Sequence, residues 1–290
     1  MKKIIAIAVA AAFAAPVYAA DVSVTGDVEF WWNDAAAGSS FDSGDQDVKV
    51  TASEELENGW GVSVSLEMDG NEDGLVSDSE LTINTGVVSI SIGDAVDPAY
   101  LQFDEKSDVA EQGGESGGSD GTETDALHTL LLSMSPAEGV SVAISTSTTD
   151  DDADADTITI TSYAAEYANS GFTIGYGVAD QDNQATDVAT MSLSYSNGPF
   201  YLGYEKISDD GNVEGDDKTN WGAKYAYGMG NVFYETGEDK SSGGTAATET
   251  TAYGVSYAIG NLNTYVLQNS VESTANATAT STMVGVEYKF

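Results

Sequence analysis

Twelve consecutive residues, Asp69-Gly-Asn71-Glu-Asp73-Gly74-Leu75-Val-Ser77-Asp-Ser-Glu80, satisfy every defined place of a calcium-binding loop. Asp69, Asn71, Asp73, Ser77 and Glu80 would offer side-chain oxygens, directly or through water. Leu75 would offer its carbonyl and Gly74 the sharp turn. The flanks, however, alternate like strands instead of repeating like helices, and a chain this rich in Asp and Gly produces such spacing by accident. Ca2+ is thus a candidate ligand, and no cofactor is required. Other chemistry is sparse. His128 is the only histidine, there is no cysteine, and all nine bases are lysine. Histidine clusters, thiol nucleophiles, the usual catalytic triads and arginine clamps are therefore excluded. Paired carboxylates could hydrolyse glycosides, but nothing marks one pair among the 48 acidic residues. The expectation is a protein that is not an enzyme.

The acids themselves set the next constraint. Against 48 Asp and Glu stand 9 Lys, a net charge of −39 over 290 residues, which makes nucleic acid an unsuitable partner. The first 19 residues read as a signal peptide: Lys2 and Lys3, an apolar stretch Ile4 to Ala15, and the small-residue site Pro16-Val-Tyr-Ala19. About 12 apolar residues fall short of the ~20 that cross a bilayer as a helix. The expected division is a leader at 1–19 and one domain at 20–290.

Within that domain the hydrophobic period is two. Val22, Val24, Val28, Phe30 and Trp32 alternate with polar neighbours, and the pattern returns at Trp60 to Met68, Phe172 to Val178, Ala189 to Tyr195, Trp221 to Tyr227 and Val284 to Phe290, among others. Ala126 to Met134 is too apolar to assign a face. Thr157 to Tyr167 changes parity between Ile160 and Tyr163, which a β-bulge would explain. Seven short Gly-, Asn- and Pro-bearing turns alternate with eight long acidic connections, near 33–46, 69–79, 94–125, 149–156, 180–187, 208–218, 237–249 and 269–278. They join sixteen strands. An even count, with short turns at one rim and long loops at the other, predicts an all-β, antiparallel transmembrane barrel. Lipid contact requires such closure, because an open sheet edge would leave backbone groups unpaired in hydrocarbon. Trp60, Phe172, Phe200, Tyr227, Tyr257, Tyr288 and Phe290 fall on the apolar parity beside the short turns, as an interfacial aromatic girdle would.

Several stretches resemble the general porins of Gram-negative bacteria. Asp21-Val-Ser-Val-Thr-Gly26 resembles their first strand, Ser53 to Gly59 the turn between strands two and three, and Ile92-Gly93 through Asp97-Pro98 the exit from strand five. The ending Val284-Gly-Val-Glu-Tyr288-Lys-Phe290 resembles the terminal strand read by the outer-membrane assembly machinery. The likeness implies an outer-membrane homotrimer of sixteen-stranded barrels in lipid, with the third long loop folded into each pore. That loop, 94–125, carries Asp94, Asp97, Asp104, Glu105, Asp108 and Glu111 among its acids and only Lys106 as a base. The resemblance would place an arginine after Gly93 and a basic ladder across the pore. This chain has Asp94 there and no arginine.

Taking the polar parity as inward puts Asp27, Glu29, Asp47, Glu67, Glu166, Glu205, Glu235 and Glu287 in the lumen, against Lys49, Lys224 and Lys289. Such a lining predicts a water-filled, cation-preferring channel through which small hydrophilic solutes diffuse passively. The alternative is a non-conducting, acidic outer-membrane or surface β-protein that binds divalent cations.

Overall fold

The computed structural model describes residues 21–36, 38–69, 78–103, 106–110, 127–149, 159–181, 187–209, 217–240, 247–273 and 276–290. The proposed leader lies outside them. Among the described residues there are sixteen strands and no α-helix. They are β1 (Asp21–Ala35), β2 (Gly38–Glu55), β3 (Gly61–Asp69), β4 (Asp78–Asn84), β5 (Val88–Gly93), β6 (Leu127–Ala137), β7 (Val140–Thr149) and β8 (Thr159–Asn169). The second half comprises β9 (Phe172–Gln181), β10 (Asp187–Asn197), β11 (Phe200–Asp209), β12 (Asp217–Ala226), β13 (Gly230–Lys240), β14 (Ala247–Ile259), β15 (Leu262–Ser273) and β16 (Asn276–Lys289).

Each strand pairs antiparallel with its neighbours in sequence, and β1 closes on β16 to complete the barrel. The seam runs from Asp27 opposite Lys289 to Ala35 opposite Ser281. Gly26 and Phe290 exchange backbone hydrogen bonds of 3.1 and 2.9 Å at its end. The closed sheet leaves no lateral edge, which is the condition for sitting in hydrocarbon.

The alternation decides which way each side chain points. Trp32, Tyr176, Leu202, Val232, Val255 and Tyr288 are exposed on the outer face. At the short-turn rim the girdle residues are exposed too, with Phe172 packed on Tyr195 at 4.3 Å and Phe200 on Tyr225 at 4.9 Å between ring centroids. Tight hairpins shape that rim. Ser170 and Gly171 both have positive φ, 51° and 86°, as the primed turns that suit twisted strands require.

The structure corrects two expectations about the strands. The connection placed near 33–46 is mostly sheet: β1 runs to Ala35 and β2 resumes at Gly38, with Asp34 opposite Ser39. Hydrophobic alternation marks only the lipid-facing stretch of a strand, whereas backbone pairing continues beyond it wherever both neighbours are present. The bulge assigned between Ile160 and Tyr163 is also absent, since β8 keeps one register with β7 and β9. Ile160 is apolar and faces inward. Register shifts occur instead between Val28 and Phe30, Met134 and Ala137, and Val271 and Ser273.

Candidate functional site

The chain leaves β5 at Gly93 and enters the third long connection through Asp94. The Asp94 carboxylate accepts hydrogen bonds from the Ser79 amide, the Ser79 hydroxyl (2.8 Å) and the Ala95 amide (3.2 Å). The Ser79 carbonyl in turn receives the Asp94 and Ala95 amides. Burial alone would push the Asp94 carboxyl up, but these hydrogen bonds, led by the one from the Ser79 side chain, outweigh it and hold the group below the ordinary carboxylate value. Asp94 therefore fastens the loop's entry to β4.

From there the described parts of the loop, 94–103 and 106–110, lie against the inner face of the barrel. The Ala99 amide donates to Ser145 Oγ on β7 at 2.9 Å, and Gln102 Nε2 donates to the Asp97 carbonyl at 3.0 Å. Thr190 and Ser192 of β10 donate to the carbonyls of Tyr100 and Phe103. Beyond residues 104 and 105, Lys106 pairs with Glu166 of β8 at 3.1 Å, and Tyr201 donates to the Lys106 carbonyl at 2.9 Å. Ser107 donates to Glu205 Oε2 at 3.3 Å. The amides of Val109 and Ala110 both reach Glu235 Oε2, at 3.0 and 3.1 Å.

Apolar contacts reinforce this seat. Tyr100 is buried among Ile160, Ala179, Val188 and Ile207; Val96 and Ala99 pack on Leu131 and Ala143. Val109 sits with Phe233, Tyr265 and Leu267. These inward apolar residues escaped the sequence reading because it took the apolar parity as wholly lipid-facing. The detectable signal was an apolar side chain on the polar parity, as at Ile160, Phe233 and Leu267, or the unassigned run containing Leu131.

The lumenal carboxylates thus divide into two kinds. Glu166, Glu205 and Glu235 hold the loop. Elsewhere Glu29 is 2% exposed and accepts from Tyr265 at 2.8 Å, while Lys49 pairs with Glu67 at 3.2 Å and Lys289 with Glu287 at 2.8 Å. Lys224 lies over the Tyr201 ring, 5.8 Å from its centroid. Asp27 and Asp47 are direct partners across β1 and β2. Asp97 and Asp108 are exposed. Asp104, Glu105 and Glu111 lie outside the described residues, as do Asn71, Asp73, Leu75 and Ser77 of the calcium motif. Of that motif's ends, Asp69 closes β3, and Glu80 sits within β4, where Thr82 donates to its carboxylate.

A closed antiparallel barrel, apolar outside and polar within, with a chain segment laid across its inner wall, defines a membrane-spanning barrel protein with a hydrated interior. A family profile described as Gram-negative porin matches residues 6–290, and the chain belongs to that family. Among similar solved structures is a loop-deletion mutant of OmpT, an outer membrane protein of Vibrio cholerae, with a TM-score of 0.75 and 15% identity over 94% of this chain and 100% of that one. An anion-selective porin from Comamonas acidovorans matches with a TM-score of 0.75 and 14% identity, covering 93% and 100%. A Rh. blastica porin mutant matches at 0.68 and 16%, again covering 93% and 100%. At these identities the likeness concerns the fold. No curated protein matches the sequence. Family and fold together make the chain an outer-membrane channel protein of a non-enzymatic family.

Proposed function

We propose that the barrel is a passive, cation-preferring pore for small hydrophilic solutes, narrowed by the segment 94–125. The observation that carries the sign is the lining. Lys49, Lys106 and Lys289 each meet a carboxylate at 3.2, 3.1 and 2.8 Å, Lys224 lies over the Tyr201 ring, and the inward-parity acids outnumber these bases. Asp97 and Asp108, both exposed, add negative charge to the loop. In a channel with low-dielectric walls the summed field concentrates cations and repels anions. That the Comamonas protein is anion-selective fits this reasoning, because a shared fold leaves the sign to the side chains lining it. The working unit is proposed to be a homotrimer in outer-membrane lipid, inserted by the assembly machinery through the strand ending at Phe290.

A planar-bilayer recording in a salt gradient tests the reading. The zero-current potential should have the cation sign and should shrink as salt rises, since the screening length falls from about 8 Å at 0.15 M to about 3 Å at 1 M. Asp97→Lys with Asp108→Lys should move it toward the anion sign. An anion-signed potential in the parent protein, or silence, defeats the proposal.

A further inference from the structure

The loop segments 99–103 and 106–110 lie so close to the wall that side chains are missing beneath them. On inward positions of β9, β11 and β12 stand four buried glycines, Gly175, Gly177, Gly203 and Gly222. A Cβ at Gly203 would lie 1.4 Å from the Lys106 carbonyl oxygen, and one at Gly222 would lie 1.9 Å from that of Ser107. At Gly177 the Tyr100 carbonyl oxygen would be 2.6 Å away, and at Gly175 the Phe103 carbonyl oxygen would be 2.8 Å away. Gly203 and Gly222 are direct register partners, so together they form one bare step in the wall. Glycine inside a strand weakens the strand and marks a close backbone approach. Between these positions the wall supplies donors instead: Thr190 and Ser192 on β10, and Tyr201 on β11, each hydrogen-bond a loop carbonyl. From β9 to β12, each strand either gives up its Cβ to the loop or donates to it.

We propose that Gly175, Gly177, Gly203 and Gly222 are positioning residues that set the depth at which the loop lies, and through it the open cross-section of the pore. This rests on the channel reading above. A methyl group at Gly203 demands a local displacement of about 2 Å before ordinary van der Waals contact is restored, and the barrel wall behind it is fixed by its backbone ladder. The loop yields, toward the lumen. The demand on the loop decreases from Gly203 to Gly222 and is smaller and similar at Gly177 and Gly175, where a Cβ would also meet Thr190 Oγ1 at 2.7 Å and Ser192 Oγ at 2.5 Å.

The test is a set of single alanine variants of these glycines, with Gly61→Ala as the control. Gly61 is a strand glycine whose Cβ would meet nothing nearer than Asn84 Cβ at 3.9 Å. Heat-modifiable gel mobility in detergent selects the variants that form barrels. Single-channel conductance and the exclusion limit for neutral polymers should then fall in the order given, with Gly61→Ala at the parent level. Equal values for all variants, a rise in either quantity, or losses unrelated to the order overturn the proposal. If Gly203→Ala fails to fold, the other three still carry the ranking. Because the chain has no cysteine, a Ser107→Cys, Glu205→Cys pair reads loop depth without conductance. A short bifunctional thiol reagent should bridge the pair in the parent background and do so more slowly with Gly222→Ala, and bridging at the parent rate refutes the proposal. A parent protein that conducts nothing but passes this cross-linking comparison would sink the channel reading and leave the seat intact.

Discussion

Glu235→Ala should release the distal part of the inward loop without unfolding the barrel. Glu235 is 2% exposed, and one of its carboxylate oxygens accepts two loop amides, from Val109 at 3.0 Å and Ala110 at 3.1 Å. Hydrogen bonds to a charged acceptor contribute about 1.5–3 kcal/mol each, so losing both costs roughly 3–6 kcal/mol. Ordering backbone costs about 1–2 kcal/mol per residue, or roughly 4–8 kcal/mol for residues 107–110. The anchor and the entropy it opposes are therefore of the same size. Burial of Val109 against Phe233, Tyr265 and Leu267 contributes about 1.5–3 kcal/mol in addition, too little to replace the anchor. The variant should show a noisier open state and a larger exclusion limit for neutral polymers, together with faster proteolysis between 104 and 126. Its heat-modifiable mobility should remain that of the parent, because the sixteen-strand ladder does not depend on Glu235. Glu235→Gln keeps one acceptor oxygen in place and should fall between the two. A Glu235→Ala channel with the parent's noise, exclusion limit and protease resistance would show that the loop is held by something other than this carboxylate.

The Asp94 staple predicts an acid sensitivity. Its folded pKa is depressed, so its stabilisation should be complete above the unfolded carboxylate value and lost as pH falls through the folded one. Urea midpoints of the parent and Asp94→Asn should accordingly differ by a constant amount at neutral pH and converge under acid conditions, and a gap that widened on acidification would contradict the assignment. Calcium is separable from both effects: calorimetric titration should show a site that Asp73→Ala removes, whereas identical isotherms would reject the loop 69–80 as a calcium ligand.

The barrel was legible in the sequence because lipid and water impose opposite demands on alternate residues of every strand, leaving a period of two that survives in Phe172 to Val178 or Val284 to Phe290. That constraint ends where lipid ends, which is why β1 and β2 run past the alternation to Ala35 and Gly38. It also fails wherever the inner wall is dry. Ile160, Phe233, Tyr265 and Leu267 point inward, yet they are buried, because the loop rather than water covers them. A reading that equated the inner face with solvent could name Glu205 and Glu235 as lumenal, but it assigned their charge to permeating ions. In the fold both are directed at loop groups, through Ser107 and through Val109 and Ala110. A buried carboxylate is costly unless charge-assisted hydrogen bonds compensate it, and a loop whose amides lack a strand partner supplies them. The acids beneath the loop are thus required by the architecture at any ion selectivity, whereas Asp97 and Asp108 are exposed to solvent. Selectivity should therefore respond to substitutions at the exposed pair, and loop order to substitutions at the buried pair.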